Sequence, residues 1–506
     1  MAYTPNSGRM LKNTFILYFR MALMMCISLY TSRVVLQTLG VEDYGIYNVV
    51  GGVVVMFTFL NDGMTVSTLR FLTFELGKDN QKRLNEIFVT SLHIHLVISA
   101  VIVLLSETVG LWFLTEKLVI PLERMTAAHW CFQLSVFTCV VSIMSYPYNA
   151  AIVAHEKMSA FAYISILDAI LKLLLVYLLL VFSMDRLILY AILFAAEKIM
   201  IRMVYNVYCT RHFEECHYRW LHDRQLFRQM FTFAGWSMWG NMAYIAYSQG
   251  LNMLLNIFFG PVVNAARAVA VQVQGAVSQL SSNFQMAINP QITKTYASGM
   301  MDEMHTLIYR STRFTFCLLL LLCLPIFVEA PMLLHLWLGD VPAYSVAFLR
   351  LLLLVMIVDQ MANPLAISVN STGNNKKYEF VNGCLMLSIL PISYYVLYLG
   401  AEPWAVFTVH LCISFIACIV RFCIVKPMIH LRIGTYFSKA VGPCLLVMAL
   451  SCIVPVILLQ LTTPSLLSSI LTFIVTLVMT GIVSYLFGLD AEERSMILSK
   501  LVKLKK

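Results

Sequence analysis

The stretch Ala440–Gln460, AVGPCLLVMALSCIVPVILLQ, contains no charged residue. About 20 predominantly apolar residues in a helix cross a hydrocarbon core, and comparable runs recur from Asn13 almost to the C-terminus. Of the 506 residues, 60% are hydrophobic and 12% charged, against roughly 25% charged in a soluble domain. A water-soluble fold of this composition would lack a polar surface, so the chain reads as an all-α polytopic membrane protein. About fourteen transmembrane helices are predicted, near 13–39, 44–67, 87–114, 125–146, 158–182, 186–208, 229–259, 262–288, 306–338, 343–370, 378–400, 403–426, 438–460 and 465–487. Spans and short connections use up the residues, which leaves no room for a soluble enzyme domain.

Charge follows topology. One set of alternate loops carries Arg70, Lys78, Lys82 and Arg83, then Lys157, Arg211, Arg219, Arg224, Arg228, Lys294, Lys376, Lys377, Lys426 and Arg432, and finally the lysines from Lys500 to Lys506. The opposite loops offer Lys117, Arg124 and Arg186, so the positive-inside rule predicts both termini in the cytoplasm. The net charge of +9 is scattered among these loops rather than gathered into a nucleic-acid patch. Most of the 13 cysteines lie inside apolar runs, as small hydrophobes rather than a disulfide framework. There is no G-x-x-x-x-G-K-[ST] phosphate loop. Cys209, His212, Cys216 and His217 match no standard zinc spacing, and neither metal nor cofactor is expected.

An internal repeat is visible. Leu39-Gly40-Val41-Glu42-Asp43-Tyr44-Gly45 has a counterpart in Phe259-Gly260-Pro261-Val262-Val263-Asn264-Ala265. Glu75-Leu76-Gly77 resembles Ala297-Ser298-Gly299, and Pro147 near the end of span 4 matches Pro364 near the end of span 10. The simplest parse is two six-helix lobes, 1–215 and 216–432, followed by two trailing helices and a basic tail, 433–506. Six is even, so both lobes enter from one side, the symmetry of a parallel repeat in carriers.

Polar groups at bilayer depth mark protein interfaces or wet cavities. Asn264, Arg267, Gln274, Ser278, Ser281 and Gln285 share one face of span 8, and Asn241, Tyr244, Ser248 and Asn252 recur along span 7. Two readings compete: hydrogen bonds between helices, or the lining of a cavity. Asn48 and Asp62 extend the pattern in span 2. Arg20 lies eight residues past Lys12, about 12 Å along a helix, and a buried arginine costs at least ~2.5 kcal/mol unless compensated. Arg33 and Arg267 either snorkel to the interface or join Arg20 in a cationic site. Asp168 with Lys172, and Glu197 beside Lys198, sit near mid-bilayer in spans 5 and 6; together with Asp62 and Asp359 they are candidates for coupling to a proton or Na⁺, against the alternative of a structural ion-pair network.

At the Leu39-Gly40-Val41-Glu42-Asp43-Tyr44-Gly45 turn the sequence resembles the polysaccharide-repeat-unit flippases (Wzx type) of the multidrug/oligosaccharidyl-lipid/polysaccharide exporter superfamily. Pro147 followed by Tyr148-Asn149-Ala150 and the His155-Glu156-Lys157 loop extend that resemblance. It implies export of a polyprenyl-pyrophosphate-linked oligosaccharide through a cationic cavity in a bacterial inner membrane, with a glycan polymerase as a candidate partner. Arg20 and Arg267 fall in spans where related flippases place cavity arginines. Alternatives are a multidrug/cation antiporter or lipid II flippase of the same superfamily. More distant is a membrane glycosyltransferase or polymerase using Glu42 and Asp43 as an acidic pair.

Overall fold

The computed structural model describes residues 16–24, 26–27, 30–31, 34–35, 38–39, 43, 46–47, 50–51, 54, 59–116, 120–179, 181, 184–219, 223–461, 465–490 and 493–494. Among them there are helices and no strands. In chain order the helices are α1 (Phe59–Lys78), α2 (Gln81–Leu105), α3 (Met125–Ile143), α4 (Tyr146–Ala154), α5 (Met158–Leu178), α6 (Arg186–His212), α7 (Arg224–Phe259) and α8 (Pro261–Ala297). There follow α9 (Met301–Val328), α10 (Ala330–Leu338), α11 (Ser345–Gln360), α12 (Asn363–Thr372), α13 (Lys376–Tyr398), α14 (Ala405–Met428), α15 (Gly442–Leu461) and α16 (Leu466–Val483). Eight of the described helical segments are long and apolar enough to cross a membrane, and a ninth is α11 with α12, bent by 42°. The chain is a multi-pass membrane protein. The long helices α6, α7 and α8 are not among the eight; they carry the charges and polar stripes noted above.

Helix boundaries follow from capping chemistry. Asp185 accepts from the Leu187 and Ile188 amides at 3.0 and 3.2 Å to start α6, and Asp223 accepts from Leu226 N at 2.9 Å to start α7. Asn80 caps α2 through Arg83 N at 3.2 Å. Because α1 runs to Lys78, Arg70 and Lys78 are helical, and the connection predicted from about 68 to 86 shrinks to Asp79 and Asn80. The sequence underestimated this helix because charged residues within it look like loop.

The repeat has a structural signature. Spans 4 and 10 both break before a proline in the first turn of a short helix, Pro147 in α4 and Pro364 in α12. In each, a residue of positive φ follows the proline by nine positions, Glu156 at 57° and Gly373 at 79° (147 to 156, 364 to 373). The shorter match is two residues out of register: the left-handed residues are Asp79 and Gly299, not Gly77 and Gly299. Gly40 lies outside the described residues, while Gly260, with φ 79° and ψ −172°, turns α7 into α8 ahead of Pro261.

Two compact units emerge, 1–241 and 242–506. In the first, Ile46, Val50 and Val54 meet Ala127, Ala128, Phe132 and Leu187 in one core. Small residues there let helices approach closely, the main source of stability between helices in lipid. In the second, Phe316, Leu320, Phe348, Leu352 and Phe407 form a larger core that also takes in Cys444, Val447 and Val483 of the trailing helices. Arg313 of α9, 4% exposed, donates to Asp490 at 2.7 and 2.5 Å and to Glu493 at 2.9 Å, tying the segment after α16 to the bundle.

Only glycine occupies the Gly260 conformation without strain of about 1–3 kcal/mol, and a Cβ there meets nothing within 4 Å. Gly260→Ala is therefore expected to lower the thermal unfolding temperature of the purified protein through backbone strain alone. An unchanged unfolding temperature would contradict this.

Candidate functional site

The first unit gathers the mid-bilayer charges into one network. Asp168 and Lys172 are four apart on α5 and share a face. Asp168 accepts from Lys172 Nζ at 2.5 Å and, through its other oxygen, from Lys198 Nζ of α6 at 2.7 Å. Lys198 also lies 3.3 Å from Oε2 of Glu197, in ion-pair range though not aligned as a hydrogen bond, and Glu197 is fully buried. Thus the structure brings together Asp168, Lys172 and Glu197 and adds Lys198 as the group that joins them. Two carboxylates and two ammonium groups balance, which such burial requires.

Lys198 faces a second environment as well. A cavity of about 210 Å³ is lined by Tyr47, Thr138, Ser142, Tyr146, Phe194 and Lys198, among others. The ammonium stands 5.3 Å over the Phe194 ring. A ligand in this mostly apolar cavity would meet one cation already shared between two carboxylates. Arg20 is half-buried in the same unit, 4.7 Å over the Phe161 ring and 3.4 Å from Ser165 Oγ, to which it donates. Asp62 on α1 is exposed. Arg33 and Asn48 lie outside the described residues.

In the second unit Arg267 is 6% exposed and does not snorkel. Its guanidinium reaches back across the α7–α8 hairpin, donating to Asn252 Oδ1, to the Ser248 carbonyl at 2.9 Å and to Ser248 Oγ at 3.2 Å. Every one of these partners is neutral. Tyr247 OH and His410 Nδ1 are 2.8 Å apart nearby. Oδ1 of Asn264 is buried without a hydrogen bond. The other stripe residues divide. Ser278 donates to its own helix at Gly275 O, 2.9 Å. Gln285 reaches Ser281 at 3.4 Å, Ser281 donates to Gln360 at 2.9 Å, and Gln360 donates to Thr315 at 2.6 Å, a chain of hydrogen bonds between helices. Gln274 is half-buried, and Asn241 and Tyr244 are exposed. Asp359 is 3.4 Å from Arg421 Nη1. Arg421, which the sequence reading did not single out, also donates to Asn382 Oδ1 at 3.0 and 2.9 Å.

Asp43 of the Leu39–Gly45 turn has a structural partner. Arg124 grips it at 2.8 and 2.5 Å and donates to Asp185 at 2.5 Å, so one guanidinium joins the first turn to the cap of α6. A carboxylate held in this way is a poor catalytic group, which weakens the glycosyltransferase alternative. The zinc-like loop is occupied by other bonds. Glu215 is bonded to His155, and Gln81 donates to it at 3.1 Å. Burial raises the Glu215 carboxyl, yet these donors, His155 foremost, outweigh that and hold it below the usual range. Among the described residues no three metal-type side chains cluster.

Solved structures share this architecture. A multidrug resistance MATE family transporter of the MOP superfamily, solved in an outward-facing conformation, superposes with a TM-score of 0.69 at 14% identity, over 85% of this chain and 99% of that one. The fold is MATE-like. A second MATE structure, in a straight conformation, gives 0.68 at 15% identity over 83% of this chain and 96% of its own. A MOP superfamily transporter from Pyrococcus furiosus, described as having a binding pocket of reversed polarity that suggests a different function, gives 0.67 at 14% identity over 85% and 99%. No protein-family model and no curated protein matches the sequence. What this chain shares with these transporters is the fold.

Burial raises the Asp185 carboxyl, but hydrogen bonds from Arg124 and from the α6 backbone hold it below its ordinary value. Stabilisation of this kind is present above the ordinary carboxylate pKa of about 4 and is lost as pH falls through the lowered value. Arg124→Leu should cost about 1 kcal/mol at neutral pH, and the gap from the parent protein should close on acidification. Unfolding temperatures measured from neutral to acidic pH test this; a gap independent of pH would contradict it.

Proposed function

We propose that this chain is a flippase that moves polyprenyl-pyrophosphate-linked oligosaccharide repeat units across a bacterial inner membrane by alternating access, supplying surface polysaccharide such as O-antigen or capsule. Both termini are cytoplasmic in this reading, and a glycan polymerase acts downstream. The observation that carries it is the distribution of buried charge. Asp168, Glu197 and Asp359 each have a lysine or arginine as partner, whereas the buried Arg267 is held by the neutral groups of Ser248 and Asn252. Acids neutralised at these three positions and a guanidinium that keeps its charge favour an anionic substrate over a cationic one. Arginine's planar fork suits phosphate oxygens.

The transport problem fits these groups. A sugar head cannot enter hydrocarbon without losing its hydrogen bonds to water, and Asn241, Tyr244, Asn252, Asn264 and Gln274 offer replacements. Arg20 in the first unit would take the pyrophosphate and Arg267 in the second would assist anion transport, while the prenyl chain stays among the membrane lipids. Moving a negative charge outward across an inside-negative potential is favourable by ~2.3 kcal/mol per charge per 100 mV. Potential alone could drive export, and proton or Na⁺ coupling at Asp168 and Glu197 would add to it.

A second reading, a multidrug/cation antiporter, draws on the description of the structurally similar MATE transporters and on Asp62, an exposed carboxylate on α1. The two separate cleanly. In proteoliposomes Arg20→Ala should cut translocation of lipid-linked oligosaccharide by at least about tenfold, the loss of one charge-assisted contact, while Asp62→Asn should leave drug resistance of a pump-deficient strain unaffected. Unchanged translocation by Arg20→Ala, or resistance that depends on Asp62, would favour the antiporter.

A further inference from the structure

Arg202 is the strongest feature that the foregoing reading leaves unused. It lies on α6 six residues, about 9 Å, inside the end of the span read near 186–208, and is half-buried. Its guanidinium stands 4.2 Å over the Tyr148 ring, and its Nη1 is buried without a hydrogen-bond partner. Among the described residues no carboxylate lies within ion-pair distance of it: Asp168 is engaged by Lys172 and Lys198, and Glu197 lies against Lys198.

Lys198, Arg202 and Tyr205 recur at steps of four and three, so they share one face of α6. Lys198 lines the cavity in the first unit. Tyr205 accepts from Asn149 at 3.2 Å and is an electrostatic neighbour of Arg20, which stacks on Phe161 of the adjoining α5. Tyr205 thus links the turn that carries Arg202 with the first span that carries Arg20. The contact with Tyr148 holds the Arg202 guanidinium while leaving its Nη1 donor without a protein partner, for a phosphate oxygen to take up. Two such guanidinium groups offer more donors than a single phosphate can engage.

We propose that Arg202 is the second guanidinium of the head-group site in the first unit, and that with Arg20 it makes the site select a diphosphate over a monophosphate. This rests on the flippase reading and sharpens it: Arg20 supplies anion binding as such, and Arg202 supplies the preference for a second phosphoryl group.

Farnesyl diphosphate, farnesyl monophosphate and farnesol are the probes, titrated against the purified full-length protein with tryptophan fluorescence as readout. The parent protein should bind the diphosphate about tenfold or more tighter than the monophosphate, as one added charge-assisted contact implies. Arg202→Gln should retain monophosphate binding and lose most of that preference, and Arg202→Lys, which keeps the charge but not the fork, should recover only part of it. Should Arg202→Gln keep the full preference, Arg202 is a packing residue on Tyr148 and this assignment is overturned while the flippase reading stands. Full preference in Arg202→Lys likewise overturns the role of the fork, and Arg202→Lys also decides the matter if the glutamine variant fails to fold. Equal binding of farnesol and farnesyl diphosphate by the parent protein would overturn the flippase reading itself, and this inference with it.

Discussion

A charge taken out of water must be neutralised or held by hydrogen bonds, and this requirement governs the interior of the protein. The chain meets it in two ways. Around Asp168 and Glu197 it places lysines, giving a balanced network between α5 and α6. Around Arg267 it places a backbone carbonyl, a hydroxyl and an amide, which engage both Nη groups but leave Nε unbonded and the charge in place. The first arrangement is electrically quiet. The second leaves a cation whose field is open to an anion, and the functional reading depends on that difference.

The fold supplies the positions from which these side chains act. Spans 4 and 10 are each interrupted ahead of a proline, with a bend of 42° in span 10, and a short helix follows before a left-handed residue ends it. The interruption in span 4 sets Tyr148 under Arg202 and Asn149 against Tyr205. At one end of the first unit the Asp43–Arg124–Asp185 bridge fixes where α6 begins, and hence the depth of Glu197, Lys198 and Arg202 along it. Ion pairs at helix ends and charges in mid-helix are therefore parts of one arrangement.

The architecture was legible because its signals are local. Runs of apolar residues announce spans, and Pro147 and Pro364 announce the breaks in spans 4 and 10. Helix ends were less legible: Arg70 and Lys78 look like loop residues and are helical, since charge at a helix end near the membrane surface costs little. At the candidate site, Asp168 with Lys172 could be paired from their spacing, and Lys198 stood out beside Glu197. Partners remote in sequence could not be found, because nothing along the chain reports contact between helices: Arg421 for Asp359, Gln360 for Ser281, and Arg124 for Asp43. Arg202 could have been noticed, since it lies one helical turn from Lys198. The polar stripe of span 8 was read as a single feature, yet Ser281 and Gln285 bond within their bundle while Asn264 keeps a buried, unbonded oxygen.

The central claim is that the interior is arranged for a negatively charged cargo, and the sign of the moving charge tests it most directly. Proteoliposomes of the purified protein on a solid-supported membrane can be exposed in turn to lipid-linked oligosaccharide and to a cationic dye, with the transient current recorded. The account predicts a current for the glycolipid with the sign of negative charge carried with it, and none for the dye. A current elicited by the dye alone would contradict it.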